Sequence, residues 1–154
     1  MKAAIFTLDT GLYRARKEST AASALKRMLE QVGFEVKAAG VLPEDKKVLS
    51  AVMQRLADTE AVDLILTTGG VGIQKRDCAP DVVEEISDRL LPGIPEAVRA
   101  YNIRHTKKAI LDRSAAGIRN HTLLVNLPES AKAAKESLEY ILPELVYVVE
   151  KVSA

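Results

Sequence analysis

A glycine-rich segment carries the strongest local signal for chemistry in this chain. Gly69, Gly70 and Gly72 follow the apolar residues 64–68 and precede a helical pattern. Glycine lets the backbone turn sharply and approach a ligand closely, and N–H groups exposed before a helix can bind an anion. The segment lacks the Gly-Lys-Ser/Thr of a P-loop and the third glycine of a dinucleotide fingerprint. An anion site and an ordinary strand-to-helix turn therefore both remain open.

Charged side chains lie near this turn and near a second one. Lys75 and Arg76 could place positive charge against a phosphate. Asp77 could hold Mg²⁺, because hard cations prefer carboxylate oxygens. Glu44 and Asp45 follow a proline before another helical pattern, where they could supply a second metal ligand. The alternative for all three acids is structural, since the helix dipole favours an acid at a helix N-terminus.

A third loop begins at Asn126 and contains Ser130. Asn126 can hydrogen-bond a ligand or cap its own turn, and Ser130 can cap the last predicted helix. His105 and His121 have no cysteine or acid at metal-ligand spacing, which argues against a zinc site. Cys78 lacks a nucleophile motif and is predicted to be a packed, unreactive thiol.

Two periodicities of apolar residues predict the elements that position these side chains. Short apolar runs at residues 3–8, 34–42, 64–68 and 122–126 predict strands, and three of the four are nearly unbroken, which is typical of strands covered on both faces. Helical stripes span residues 25–32, 48–56, 82–90, 94–101 and 134–142. Ser19 or Thr20 is expected to cap the first helix, Gly33 to end it, and Pro143 to break or restart the last helix.

The alternation of strands and helices predicts an α/β fold. We expect right-handed crossovers and a mostly parallel sheet with helices on both faces, as a single domain over residues 1–154. Parallel sheets bind ligands at the carboxyl ends of their strands, near a switch in strand order. The strand ends at residues 7–9, 67–70 and 126–128 should therefore meet at one edge of the sheet.

Composition excludes several classes of function. The chain has 154 residues, of which 47% are hydrophobic, and its formal net charge is +1. This charge balance gives no basic excess for nucleic acid. No apolar run approaches the roughly 18–20 residues of a membrane span, and the N-terminal run is too short for a signal peptide. One cysteine fits a reducing compartment, so a cytoplasmic location is expected.

Taken together, these segments resemble the molybdenum-cofactor biosynthesis family, whose molybdopterin-binding domain occurs in molybdopterin adenylyltransferases and in the G domain of gephyrin. The matching segments, in family order, are Thr67-Thr68-Gly69-Gly70-Val71-Gly72, Arg76-Asp77 with Pro80, Pro92-Gly93, Ile110-Leu111-Asp112-Arg113 with Ala116-Gly117, and Asn126-Leu127-Pro128. Five ordered matches cover nearly the whole chain and are more specific than any one of them.

The resemblance implies a three-layer αβα fold and usually a homotrimer. Active members use Mg²⁺ and ATP to adenylylate the terminal phosphate of molybdopterin, and pyrophosphate is released. Such a transfer depends mostly on positioning and on neutralising phosphate charge.

The resemblance also implies roles for individual residues. Asp77 matches a family acid that acts with the metal or in the transfer, and Glu44 matches a second acid, with Asp45 as a possible substitute. The substrate or nucleotide would bind at the turn and at the Asn-Leu-Pro loop. The residues implied there are Thr68, Gly69, Gly70, Gly72, Arg76, Asn126 and Ser130.

The chain departs from the family pattern at several positions around this edge. Val71 and Ala79 replace threonines, Asp112 replaces a serine, Glu129 replaces a glycine, and Glu18 and Thr20 replace an aspartate and a glycine. We expect Ala79 to remove a helix N-cap. We expect Glu129 to repel a phosphate and to fit poorly where glycine would have a positive φ.

Three functions follow from these matches and departures. The first is a molybdopterin adenylyltransferase. The second is a non-catalytic molybdopterin- or nucleotide-binding relative that serves as a carrier, sensor or scaffold, which the departures favour. The third is a relative of the competence-damage family acting on another nucleotide, for which a second attached domain would be the distinguishing feature.

Overall fold

The computed structural model describes residues 1–153. Its strands are β1 (Lys2–Leu8), β2 (Glu35–Leu42), β3 (Leu64–Thr68), β4 (Arg89–Leu90), β5 (Ala116–Arg119) and β6 (Thr122–Leu127). Its α-helices are α1 (Thr10–Ala15), α2 (Thr20–Gln31), α3 (Lys46–Asp58), α4 (Ala79–Ile86), α5 (Gly93–Asn102) and α6 (Ala131–Val152), and a 3₁₀ helix spans Lys107–Leu111. None of the helices within residues 1–153 is both long enough and apolar enough to cross a membrane.

The six strands form one mostly parallel sheet in the order β2-β1-β3-β6-β5-β4. The first four are parallel, and β5 and β4 are antiparallel to their neighbours. Thr7 pairs with Thr68, and Thr68 pairs with Leu127, so the carboxyl ends of β1, β3 and β6 are level. The predicted α/β fold and the shared edge of the strand ends are both confirmed.

Helices cover both faces of the sheet because the central strands are apolar on both sides. Along β1, Ala3 and Ile5 pack in one core with α2, α5 and α6, whereas Ala4, Phe6 and Leu8 pack in another with α3 and α4. The order is therefore helices, sheet, helices. This three-layer arrangement holds the strand ends rigidly, and the loops that follow them take their positions from it.

The predicted helix over residues 82–90 is wrong in its second half. Helix α4 ends at Ile86, the backbone extends at Ser87, and the Asp88 N–H donates to the Ile118 carbonyl at 2.7 Å. Residues 89 and 90 then form β4 against β5. Leu90 fits the helical spacing by coincidence, since half of it is exposed. Pairing with β5, and not the local apolar spacing, therefore determines the conformation of residues 89 and 90.

The predicted break at Pro143 is also wrong, because α6 continues through it to Val152. Proline removes the hydrogen bond to the carbonyl four residues earlier. Here that carbonyl belongs to Glu139, and both residues lie on the exposed side of the helix. Water can satisfy the carbonyl, and the buried residues Leu138, Ile141, Leu142 and Leu145 keep the helix in place.

The residues predicted to begin and end the helix α2 are confirmed. Ser19 caps α2 by accepting from the Ala22 N–H, and Gly33 has a positive φ of 98° just beyond the helix. The apolar pattern predicts neither α1, which has no buried residue, nor the short strand β5. Both lack a periodic apolar stripe long enough to be detected.

Candidate active site

The glycine turn after β3 depends on glycine at two positions. Gly69 has φ +84° and Gly70 has φ +67°. A Cβ at Gly69 would lie 2.8 Å from the Leu8 carbonyl oxygen, and one at Gly70 would lie 2.9 Å from Leu8 Cδ1. The end of β3 therefore packs directly on the end of β1, at the point where the strand order reverses.

Asp77 closes the loop that follows this turn. Its Oδ2 accepts from the Gln74 N–H at 2.9 Å, and a Cβ at Gly72 would lie 2.8 Å from the same oxygen. Asp77 comes one residue before Cys78, the N-cap of α4, so it does not cap the helix. Its other oxygen, Oδ1, accepts no hydrogen bond from residues 1–153.

The expectation that Ala79 removes an N-cap is wrong. Ala79 is the first residue of α4, fully buried, and its N–H donates to the Gly70 carbonyl at 3.1 Å. The cap position belongs to Cys78, which makes no side-chain capping bond. The effect of alanine here is to pack the helix start against the glycine turn.

Arg113 holds the loop from the other side. Its Nε donates to the Gly72 carbonyl at 2.8 Å and its Nη2 to the Asp77 carbonyl at 2.7 Å. The guanidinium also pairs with Asp81 at 3.3 Å, and this hydrogen bond raises the pKa of Arg113 above its usual value. One side chain thus fixes both ends of the segment that carries Asp77.

Glu44 and Asp45 lie at the carboxyl end of β2 and have separate structural roles. Glu44 Oε1 accepts from the Thr10 N–H at 3.1 Å, and Oε2 pairs with Arg76 Nε at 3.2 Å. Asp45 is the N-cap of α3 and accepts from the N–H groups of Lys47 and Val48. The structure therefore brings Glu44 and the Arg76–Asp77 segment together, whereas Asp45 is committed to its helix.

Thr68 and Asn126 are both buried within the sheet edge. Thr68 donates to the Thr7 hydroxyl at 3.3 Å. The Asn126 amide accepts from the Ala115 N–H at 3.0 Å and donates to Thr67 Oγ1 at 2.8 Å. Asn126 is 1% exposed. These bonds give Asn126 a positioning role, since they join β3, β6 and the residue before β5, and its predicted ligand contact stays a prediction.

A crevice of about 620 Å³ opens beside the carboxyl ends of β3 and β6. We call it the edge crevice. Three segments of the chain line it, contributing residues from 71–73, 99–112 and 128–133. Of the predicted site residues, Gly72 and Ser130 belong to this lining, and Ser130 also caps α6 through the Ala133 N–H. The turn residues Gly69 and Gly70 are not part of this lining.

The walls of the edge crevice are mostly apolar, with charged groups set into them. Arg99, Lys108, Asp112 and Glu129 line it. Glu129 is exposed and does not have a positive φ. The prediction that a side chain fits poorly at this position is therefore wrong. The charge of Glu129 remains the relevant departure.

Several of these crevice residues were missed by the sequence analysis. Arg99 and Lys108 lie in a stretch where α5 ends and a 3₁₀ helix follows, and no motif marks them. The pair Asp112-Arg113 does belong to a segment that matches the family. That match is the signal that could have directed attention to the neighbouring residues Arg99 and Lys108.

A second cavity of about 430 Å³ lies beside the edge strand β2. Glu18 lines it together with the cations Arg16, Lys17 and Lys26. The departure at Glu18 thus lies at this cavity and not at the edge crevice.

The cysteine and the two histidines lie outside the edge crevice. Cys78 is buried in the α3–α4 core, and burial raises the pKa of its thiol, as an unreactive packed cysteine requires. His105 and His121 are exposed. Residues 1–153 contain no group of three or more His, Cys, Asp or Glu side chains arranged to hold a metal.

Comparison with known proteins agrees with these features. The family described as a probable molybdopterin binding domain matches residues 4–146. Molybdopterin adenylyltransferase from Helicobacter pylori (strain ATCC 700392 / 26695) is 34% identical over 110 residues, covering 71% of this chain and 62% of that protein. The enzyme of the same name from Haemophilus influenzae is 38% identical over 99 residues, covering 64% and 50%.

Solved structures extend the similarity to the whole fold. The molybdopterin biosynthesis enzyme MoaB from Thermus thermophilus superposes with a TM-score of 0.85 at 37% identity, covering 97% of this chain and 96% of that one. The chain nevertheless spans only 50% to 62% of the length of the two curated adenylyltransferases.

Proposed function

The chain belongs to the molybdenum-cofactor biosynthesis family of molybdopterin-binding domains, and from this premise we propose that it transfers AMP from ATP to the terminal phosphate of molybdopterin. The observation that carries the proposal is that the glycine-rich loop forms part of the wall of the edge crevice. Val71 and Gly72 belong both to the glycine-rich loop and to the edge crevice. A ligand in the crevice therefore has its end next to the loop that carries Asp77.

The proposed substrate has parts that suit these two features. A flat pterin ring fits an apolar crevice, and a phosphate suits the backbone N–H groups of a glycine-rich turn before a helix. In the transfer, a phosphate oxygen of molybdopterin bonds to the α-phosphorus of ATP, the bond between the α- and β-phosphates breaks, and pyrophosphate leaves. The attacking oxygen is already ionised near neutral pH, so positioning and charge neutralisation are the main tasks of the protein.

The residues near the loop fit a magnesium ion that is shared with substrate. Mg²⁺ is usually held by one or two carboxylates together with substrate phosphates, and it would neutralise phosphate charge here. Asp77 has one carboxylate oxygen without a protein hydrogen bond. Glu44 is only 17% exposed, but its partner Arg76 is 64% exposed and free to turn toward a phosphate. Asp77 would hold the ion, Arg76 would bind phosphate, and Glu44 would add its Oε2 to the ion once Arg76 has left that oxygen.

The proposal includes a cytoplasmic homotrimer. The single buried cysteine supports a reducing compartment. Tyr140 and Tyr147 on α6 are 55% and 62% exposed, and apolar grooves flank this helix on both sides. Exposed apolar surface of this kind supports self-association.

A turnover assay tests the function. Purified protein with molybdopterin, ATP and Mg²⁺ should yield adenylylated product and pyrophosphate. Asp77→Ala should abolish turnover and leave the fold intact, although it removes the hydrogen bond from the Gln74 N–H. Asp77→Asn is the matched control, because it keeps an oxygen for the Gln74 N–H and loses only the charge. Turnover that persists in both variants would remove the metal assignment.

The second candidate function is a non-catalytic molybdopterin carrier or sensor. The carboxylates of Asp112 and Glu129 in the edge crevice favour it, since they would repel the triphosphate of ATP more strongly than the single phosphate of molybdopterin. Tight molybdopterin binding without any pyrophosphate release would establish this function in place of the transferase.

A further inference from the structure

Asp112 is held in a fixed position at the edge crevice. Its Oδ1 accepts from the Ser114 N–H at 2.7 Å. Its backbone carbonyl accepts from Arg99 Nη1 at 3.3 Å, and the same nitrogen donates to the Ser114 carbonyl at 3.1 Å. One contact holds the side chain within its own turn, and the other holds the backbone from Arg99 of α5, so this carboxylate has little freedom.

The second carboxylate oxygen of Asp112 is available to a ligand. Oδ2 accepts no hydrogen bond and makes no ion pair within residues 1–153. The residue is half-buried and lines the crevice. A partly desolvated carboxylate oxygen is a strong acceptor, and it favours a ligand that brings N–H donors to it.

The surroundings of Asp112 narrow the class of ligand. Val71, Ala109, Leu111 and Pro128 give the crevice apolar walls. Such walls favour a flat ring, and a carboxylate in the lining favours a ring edge with two adjacent donors. The 2-amino-4-oxopyrimidine edge of a pterin has this pattern, with its amino group beside N3–H.

We propose that Asp112 determines specificity for the pterin ring, its carboxylate accepting hydrogen bonds from the 2-amino group and N3–H. The identity of the ring rests on the proposed function. Asp112 is a binding residue in this assignment and takes no part in the transfer of AMP.

The other carboxylates at this edge of the sheet do not meet the same requirement. Both oxygens of Glu44 are engaged by Thr10 and Arg76. Asp77 lies in the loop below Gly72 and is outside the crevice lining. Glu129 lines the crevice, but it is exposed and no contact within residues 1–153 fixes its carboxylate. Asp112 alone among these four combines a fixed position and a free oxygen with a place in the crevice lining.

The test compares two neutral ligands that differ at one group. 6-Hydroxymethylpterin carries the 2-amino donor, whereas 6-hydroxymethyllumazine carries an oxygen acceptor in its place. Binding to the full chain is followed by ligand fluorescence. Because hydrogen bonds to a charged group are strong, the unmodified protein should bind the pterin about 10- to 100-fold more tightly than the lumazine.

Asp112→Asn is the decisive variant. Its side-chain oxygen still accepts from the Ser114 N–H, and an NH₂ group takes the place of the free oxygen. Affinity for the pterin should fall about 10- to 100-fold, while affinity for the lumazine should stay the same or rise. Glu129→Gln, a neutral substitution in the same crevice, should keep the preference for the pterin.

Two results would overturn the inference. One is a protein that binds both ligands equally or binds neither. The other is an Asp112→Asn variant that keeps the preference. The proposed function can fail separately. A pterin preference that depends on Asp112, in a protein without turnover, would indicate a binding protein. Turnover without that preference would indicate a transferase that recognises its substrate through other residues.

Discussion

Two groups of carboxylates lie at the carboxyl edge of the sheet, and the protein uses them differently. In the loops after β2 and β3, Glu44, Asp45 and Asp77 each accept backbone N–H groups of their own or a neighbouring loop. In the edge crevice, Asp112 also accepts one backbone N–H, but unlike the loop carboxylates it lies in the crevice lining with its second oxygen unpartnered, and Glu129 lies there without any hydrogen bond from residues 1–153.

This difference between the two groups indicates that the loop carboxylates stabilise the loops, whereas the crevice carboxylates determine which ligand binds. Carboxylates that accept backbone N–H groups close turns and stabilise the start of helices, and their positions follow from nearby sequence. The charge pattern of the crevice depends instead on three segments that meet only in the folded chain. Loop geometry and ligand preference should therefore respond to different substitutions.

The largest effect is expected at the glycine turn, on which both groups depend. Gly69→Ala would place a side chain at positive φ and 2.8 Å from the Leu8 carbonyl. The left-handed conformation and the overlap together should lower the free energy of unfolding by about 2–5 kcal/mol. Turnover and pterin binding should both fall, because the loop and the crevice share this turn. Chemical denaturation measures the first effect.

Gly40→Ala is the matched control for this prediction. Gly40 lies in β2, and a Cβ there would meet no atom within 4 Å. Alanine should change the free energy of unfolding by less than about 1 kcal/mol, and in the stabilising direction. Equal effects at the two glycines would show that the turn is not the rigid point on which the two groups depend.

The sequence predicts the sheet and the loop signals well because both are local. The four long strands, the Ser19 cap and the gathering of residues 7–9, 67–70 and 126–128 at one edge follow from periodicity and the rules of parallel sheets. The glycine requirement at Gly69 and Gly70 is likewise visible, since a sharp turn after a strand favours the residue that takes a positive φ most readily.

The rest depends on tertiary contacts that no local pattern contains. Leu90 matches a helical stripe but belongs to β4, because pairing with β5 outweighs the local preference. The sequence places Asn126 at a strand end, but only the fold shows that its amide also joins Ala115 and Thr67. Lys108 carries no motif, and only the fold places it at the crevice.

A second prediction concerns Arg113, which connects the crevice segment to the Asp77 loop. Lysine cannot reproduce the fork that reaches the carbonyls of Gly72 and Asp77. Arg113→Lys should lower the free energy of unfolding by about 1–2 kcal/mol, discounted for the partial exposure of the side chain. Hydrogen exchange should become faster over residues 71–78. Pterin preference should persist, since Asp112 keeps its own contacts.

Arg76→Lys is the control for this substitution. Arg76 makes one ion pair from an exposed side chain, so lysine there should cost less than about 0.5 kcal/mol. If exchange over residues 71–78 were unchanged in Arg113→Lys, or equally fast in both variants, the loop would owe its order to Asp77 alone.

The smallest expected effect is at Glu129, where charge acts without fixed geometry. Its carboxylate belongs to the crevice lining and is exposed, so water and salt should weaken its repulsion of a phosphate bound in the crevice. Glu129→Gly should tighten binding of a pterin that carries a phosphate monoester by about two- to fivefold at low salt, and less at high salt. Glu129→Gln should do the same, because φ at this position is not positive and the backbone gains nothing from glycine. Calorimetry at two salt concentrations measures both. A gain confined to the glycine variant would assign the effect to loop freedom, and no gain in either would remove the repulsion and leave Asp112 as the crevice carboxylate that discriminates among ligands.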